Sequence, residues 1–210
     1  MNKITSKNIT LFNTSLRHES PEEIIKFALE LSEKPIVTTS FGPLSASILH
    51  ASVKVKPNIQ VIWCDTGYNT EATYQHLQEL SEKLQLNLDI FVPKYTTAFI
   101  DNMIGRPNVD NPNHAQFSEE VKLEPFRRAL QKHQPDIWIS NLRKGQTKHR
   151  ETLDILSFSK EGILKVSPFY YYNDQQLVDY LKTNGLPIQW DYFDPVKAMS
   201  NRECGIHLLS

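Results

Sequence analysis

Short β-branched runs alternate along the chain with longer stretches whose apolar residues recur every three or four positions, and the two periods predict strands and helices in turn. Ser20, Pro21 and Glu23 precede apolar Ile24, Phe27, Ala28 and Leu31. An N-cap hydroxyl, a first-turn proline and an N3 carboxylate in that order predict an amphipathic helix ending near Glu33. Pro35 then admits Ile36 to Thr39 as a buried strand, and Ser40-Phe41-Gly42-Pro43 breaks it ahead of a helical pattern at Leu44, Ile48 and Leu49. Gly42 is read as the residue that permits this tight turn. The unit repeats with Ile59 to Trp63 as strand, Cys64 to Gly67 as turn, and a helix over Glu71 to Leu84 with Tyr74, Leu77 and Leu80 on one face. Leu88 to Val92 reads as a third strand, Ser118 to Lys132 as one continuous helix and Asp136 to Ser140 as a further strand. Asn173 and Gln176 form a capping box for a helix that closes at Gly185. Residues 105–113, rich in Pro and Asn, read as a loop. Strands alternating with helices predict an α/β fold, a doubly wound and mainly parallel sheet. Residues 1–190 are expected to form a single α/β domain, and residues 191–210, which lack any clean period, a flexible C-terminal tail.

Composition narrows the class. With 210 residues, 40% hydrophobic and 22% charged, the chain has room for one full core and is neither disordered nor low in complexity. A formal net charge of -1 argues against a partner recognised by a global field, such as a nucleic acid or an anionic membrane, while leaving room for a local basic pocket. No apolar run approaches the ~20 residues that a bilayer-spanning helix requires. The first residues lack the apolar stretch of a secretory signal, so the cytoplasm is the expected compartment. Cys64 and Cys204 are the only cysteines, too few for a disulfide framework or for a zinc or iron–sulfur site of several thiolates.

In an open parallel sheet, ligands sit beyond the carboxyl ends of the strands. Three loops meet that condition. Ser40-Phe41-Gly42 precedes a helix whose N-terminus favours a phosphate or sulfate, although the same residues also suit a plain turn. Asp65-Thr66-Gly67 follows the second strand and offers hydrogen bonds to a base or ribose, or again only a turn. The stretch from Asn141 to Arg150 concentrates Arg143, Lys144, Lys148 and Arg150, which points to a small polyanion rather than a duplex. Cys64, at the end of an apolar strand beside Trp63, reads as a small core residue. Cys204, flanked by Arg202 and His207 in an aperiodic segment, fits a nucleophile whose thiolate is stabilised by neighbouring positive charge.

Taken together, Ser40-Phe41-Gly42, Asp65-Thr66-Gly67-Tyr68, Lys122-Leu123-Glu124-Pro125, Leu142-Arg143-Lys144 with Gln146 and Arg150, Ser167-Pro168 and Glu203-Cys204-Gly205-Ile206-His207 resemble the motifs of the sulfonucleotide reductases. These are the phosphoadenosine phosphosulfate (PAPS) and adenosine phosphosulfate (APS) reductases. The resemblance spans Val37 to His207 in family order. It implies an adenine nucleotide α-hydrolase-like, Rossmann-like fold. Ser40, Phe41 and Gly42 would lie at the phosphosulfate, Asp65, Thr66 and Gly67 at the adenosine, and Lys122, Arg143, Lys144, Gln146, Arg150 and His207 at the charged groups. Cys204 would attack the sulfate sulfur to give an enzyme S-sulfocysteine, which thioredoxin or glutaredoxin reduces with release of sulfite. The cysteine pairs of the cluster-containing members are missing, so the cluster-free branch acting on PAPS is the nearer likeness, with no bound cofactor. The resemblance also suggests a homodimer. Three alternatives stand beside it: a cluster-free APS reductase, an ATP pyrophosphatase-type enzyme, and a non-catalytic nucleotide-binding relative.

Overall fold

The computed structural model describes residues 4–106 and 112–197. Six strands form one sheet: β1 (Pro35–Thr39), β2 (Gln60–Cys64), β3 (Asn87–Phe91), β4 (Ile137–Ile139), β5 (Leu156–Phe158) and β6 (Leu164–Val166). Their spatial order is β3-β2-β1-β4-β6-β5, with every pair parallel except β5 against β6. The winding reverses between β1 and β4, which leaves a crevice at their carboxyl ends.

Alternate strand residues feed two cores, as expected of a sheet covered on both faces. Val37, Val61, Ile139 and Val166 pack with α2 (Pro21–Leu29), α3 (Ala46–Val55) and α8 (Asp174–Thr183). Ile36, Ile62 and Trp138 face α7 (Glu124–His133) through Phe126 and Ala129. The Trp138 indole donates to the Thr38 hydroxyl at 2.7 Å and its ring lies 5.0 Å from that of Phe126, which fixes the centre of the sheet.

The Ser20 cap forms as expected, its hydroxyl accepting from the Glu23 amide at 3.2 Å. The helix nevertheless ends at Leu29, short of Glu33. Asp136 supplies the reason. Its carboxylate accepts from the Ser32 hydroxyl and from the Glu33 and Lys34 amides at 2.7 and 3.1 Å, turning the chain out of the helix and into β1. Burial opposes ionisation of Asp136, but these donors together outweigh it and hold the carboxyl below its ordinary value. A depressed folded-state value means that the stabilisation is whole above the unfolded-state value near 3.8 and is lost as pH falls towards the folded one. Asp136→Asn is therefore expected to lower stability by about 1 kcal/mol at neutral pH, a small figure because the site is open to solvent. In acid urea titrations the gap from the parent should close below pH 3.8.

Two features escape the periodic pattern. Helix α1 (Ile9–Leu16) has no side-chain cap. It is held instead by Asn13, whose amide donates to the Leu156 carbonyl at 3.0 Å while its oxygen accepts from the Leu156 amide at 2.7 Å. The helix thus covers the open edge of β5. The expected single helix from Ser118 to Lys132 is three pieces: α6 (His114–Ser118), a π-helical turn (Glu119–Leu123) and α7. Between β3 and α6 lies α5 (Thr97–Met103), and α4 (Glu71–Leu84) follows β2 as expected.

Candidate functional site

A cleft of about 360 Å³ opens where the winding reverses, walled by Thr38 and Thr39 of β1, Ile62 to Cys64 of β2 and Ser140 after β4. Of the residues named from sequence, Ser40, Gly42, Thr66, Lys122, Arg143, Gln146 and Arg150 line it, so segments far apart in the chain meet around one space.

The first loop differs in detail from its reading. The left-handed residue is Phe41, at φ +49°, and not Gly42. An aromatic residue at positive φ is strained by about 1 kcal/mol or more. The strain is held by packing: the ring is fully buried, edge-on to Trp63 at 5.3 Å, and the Phe41 amide donates to the Thr39 hydroxyl at 3.1 Å. The Phe41 side chain therefore faces the core and does not line the cleft. At Gly42 a Cβ would sit in van der Waals contact with the Tyr192 ring and the Ser40 hydroxyl, at 3.4 Å.

In the second loop, Thr66 is buried and lines the cleft, whereas Asp65 and Gly67 do not. The Asp65 carboxylate is taken up in shaping its own loop, accepting from the Gly67 amide at 2.9 Å, the Asn69 amide at 2.7 Å and the Tyr74 hydroxyl at 3.0 Å. Burial and the Asp65 charge push the Tyr74 phenol up to about 12, so it remains a donor. Gly67 sits at φ +76° with Thr97 Cγ2 at 2.8 Å from a Cβ position. Gly67→Ala is expected to destabilise by about 1–2 kcal/mol, read as a lower urea midpoint at unchanged slope.

The third loop folds into two short 3-10 turns, Lys144–Gln146 and Arg150–Thr152. Gln146 organises it, its side-chain oxygen accepting from the Arg143 amide at 3.0 Å and from the Arg150 guanidinium. Arg150 is buried at 5% exposure. Arg143, ion-paired to Asp174, keeps a buried Nε with no hydrogen-bond partner. Lys144 turns away from the cleft, is exposed, and lies 5.9 Å over the Tyr171 ring. Lys122 enters from the π turn, 7% exposed. Cys204 and His207 lie outside the described residues.

Several lining residues were not among the binding residues named from sequence. Ser45 and Ser140 are buried at 7% and 3%, line the cleft, and carry hydroxyls without a hydrogen-bond partner. Ser140 sits at the end of a strand directly before the Arg143 loop, and that position was the clue available. Cys64, read as core, packs against Ile36 and Ile62 but is only half-buried and forms part of the cleft wall. Trp190, together with Tyr192, Asp194 and Pro195 from the segment where a tail was expected, completes the lining. Among the described residues, no three His, Cys, Asp or Glu side chains gather as a metal site, and no helix is long and apolar enough to cross a membrane.

This arrangement suits an anion with several charged oxygens: buried cations and unmatched hydroxyls converge at strand ends, where a ligand supplies the missing partners. The fold is found in solved structures. Phosphoadenylyl-sulfate (PAPS) reductase from Candida auris, in a phosphate complex, superposes with a TM-score of 0.78 at 23% identity, covering 90% of this chain and 91% of that one. Candida glabrata FMN adenylyltransferase, with FAD and inorganic pyrophosphate, gives a TM-score of 0.61 at 12% identity, covering 89% of this chain and 62% of that one. Both carry the adenine nucleotide α-hydrolase-like fold. In sequence, the phosphoadenosine 5'-phosphosulfate reductase of Aliivibrio salmonicida is 36% identical over 179 residues, 83% of this chain and 70% of that protein. The protein of the same name from Synechococcus sp. is 29% identical over an alignment of 229 positions, gaps included, that covers 96% of this chain and 97% of the relative. The family model for the phosphoadenosine phosphosulfate reductase domain matches residues 34–193, a span that takes in every described segment of the cleft except Pro195 and the adjoining Asp194, and the chain belongs to that family.

Proposed function

We propose that the protein reduces 3'-phosphoadenylyl sulfate to sulfite and adenosine 3',5'-bisphosphate in sulfate assimilation, with Cys204 as nucleophile. The observation that carries this reading is the convergence of Lys122, Arg143 and Arg150 with the hydroxyls of Ser40, Thr66 and Ser140 on one cleft at the reversal of the sheet. Attack by a thiolate on a phosphosulfate brings negative charge to a polyanion. Fixed cations in a partly desolvated cleft stabilise the charge that develops on the leaving phosphate.

In the first step the Cys204 thiolate bonds to the sulfate sulfur, the sulfur–oxygen bond to the phosphate breaks, and the nucleotide departs with that electron pair. Cys204 is left as S-sulfocysteine. The first thiolate of a dithiol reductant then attacks the cysteine sulfur and expels sulfite, giving a mixed disulfide. The second thiolate displaces Cys204 and leaves the reductant oxidised. Thioredoxin and glutaredoxin both supply such a dithiol. The cytoplasm, where these carriers stay reduced, is the compartment this chemistry suits.

The test is mass spectrometry after mixing the protein with PAPS in the absence of reductant. The Cys204 peptide is expected to gain one SO₃ group, lost again with equimolar sulfite when reduced thioredoxin or glutaredoxin is added. Release of pyrophosphate from ATP with no adduct would instead favour the ATP pyrophosphatase-type reading. Nucleotide binding without adduct or turnover would favour a non-catalytic one. Substituting APS for PAPS in the same experiment identifies the preferred nucleotide.

A further inference from the structure

The segment from Trp190 to Val196 is fastened across the cleft at separate points. The Thr70 hydroxyl donates to the Asp191 carbonyl at 2.9 Å, and the Tyr192 ring closes on Gly42. Val196 is buried with Ile100, Phe117 and Val121. Between these anchors Asp194 reaches inward to Lys122 at 2.8 Å, the two side chains only 5% and 9% exposed. The same carboxylate also holds its own strap, accepting from the Val196 amide at 3.1 Å. The charged lining of the cleft is thus matched from within the chain, by Asp174 on Arg143 and, far more deeply buried, by Asp194 on Lys122.

The Asp194 carboxylate is in conflict with any polyanion that enters. Negative charges brought together at low effective dielectric repel strongly, and a buried cation can give up its partner without a large penalty only when another anion takes its place. We infer that the Lys122–Asp194 pair is an anion-exchange latch: a phosphate or sulfate oxygen of the arriving nucleotide replaces the Asp194 carboxylate on the Lys122 ammonium, and the displaced carboxylate takes the 190–196 strap with it into solvent. The inference rests on the proposed nucleotide site. It gives Asp194 a role in specificity, because a ligand with several charges displaces the carboxylate more readily than a monoanion does. It also couples occupancy of the cleft to release of the segment that leads to Cys204.

Asp194→Asn keeps the shape and removes the competing charge. Its affinity for adenosine 3',5'-bisphosphate, and separately for inorganic pyrophosphate, is expected to rise about tenfold in calorimetric titrations. Without ligand the variant should melt below the parent, and the difference should close as ligand is added, because the anion restores the partner that Lys122 lost. Equal or weaker binding of both probes would overturn the latch and leave the pair a structural tie. Hydrogen exchange on the unaltered protein provides a check that does not depend on the variant folding. Saturating ligand should speed exchange at the Val196 amide, which loses its acceptor when Asp194 leaves; unchanged or slower exchange counts against the proposal. If pyrophosphate binds and the nucleotide does not, the nucleotide reading fails, and the pyrophosphate comparison still decides whether Asp194 competes for Lys122.

Discussion

Replacing Cys204 with Ser is expected to abolish sulfite production, by about four orders of magnitude or more, while nucleotide affinity stays within about twofold. Two physical reasons combine. A serine hydroxyl is un-ionised at neutral pH and lacks the intrinsic nucleophilicity of a thiolate. The second reason is one of electron count. Sulfite leaves a sulfur–sulfur bond with the electron pair because the cysteine sulfur is attacked by another thiol. A serine sulfate ester contains no such bond, so its displacement returns sulfate, and no reductant can then draw sulfite from it. The measurement is sulfite formed per protein with reduced thioredoxin, alongside calorimetric binding of adenosine 3',5'-bisphosphate. Retained turnover would move the nucleophile elsewhere, with half-buried Cys64 in the cleft wall the first position to try.

Arg150→Gln is expected to weaken nucleotide binding by one to two orders of magnitude, which corresponds to about 1.5–3 kcal/mol for a lost charge-assisted hydrogen bond. The effect should be large because the guanidinium is buried and held in place by Gln146, so its orientation is set before a ligand arrives. Arg150→Lys should recover only part of the loss, since an ammonium lacks the planar fork that matches phosphate or sulfate. Sensitivity of binding to salt should fall in the Gln variant and persist in the Lys variant. Tyr170, whose hydroxyl donates to the Arg150 carbonyl at 2.7 Å, keeps the backbone in position in both variants, so their stability provides the control. A Gln variant that binds as tightly as the parent would remove Arg150 from the anion site.

Much of the sheet was legible from sequence because its strands are doubly buried. Ile36-Val37 and Val61-Ile62 serve opposite cores, so both must be apolar, and Pro35 at the start of β1 and Gly67 after β2 punctuate the runs. Helices with a chemical start signal, such as Ser20 before α2 and Asn173 before α8, were equally clear. What escaped was short or fixed by distant partners. The strands β5 and β6 have three residues each, too few to display alternation. Helix α1 is tied to β5 by buried Asn13 across 143 positions as well as by Leu16 in the core, and the early end of α2 depends on Asp136 more than 100 positions away. In the cleft, the cationic loop could be read from its place after a strand, and Lys122 from the family likeness. Asp194 and Tyr192 could not, since no periodicity announces a strap that holds by scattered contacts with residues distant in the chain, among them Lys122, Thr70 and Phe117. The resting place of Phe41 was hidden for another reason: its motif is shared with a turn, and only the positive φ turns its ring inward.

The wide turn at Glu119–Leu123 has a last consequence. A π segment carries one residue more per turn than the α-helices on either side, so it shifts the angular phase of everything beyond it. The turn carries Lys122 into the cleft, and Phe126, four residues on in α7, meets the sheet. The spot is thus sensitive to its residue count as well as to the side chains of buried Val121 and Lys122. Loss of one position there can be absorbed by a return to α spacing, whereas a further added residue would turn α7 by about 100°, the rotation per residue of an α-helix, and carry Phe126 off the sheet.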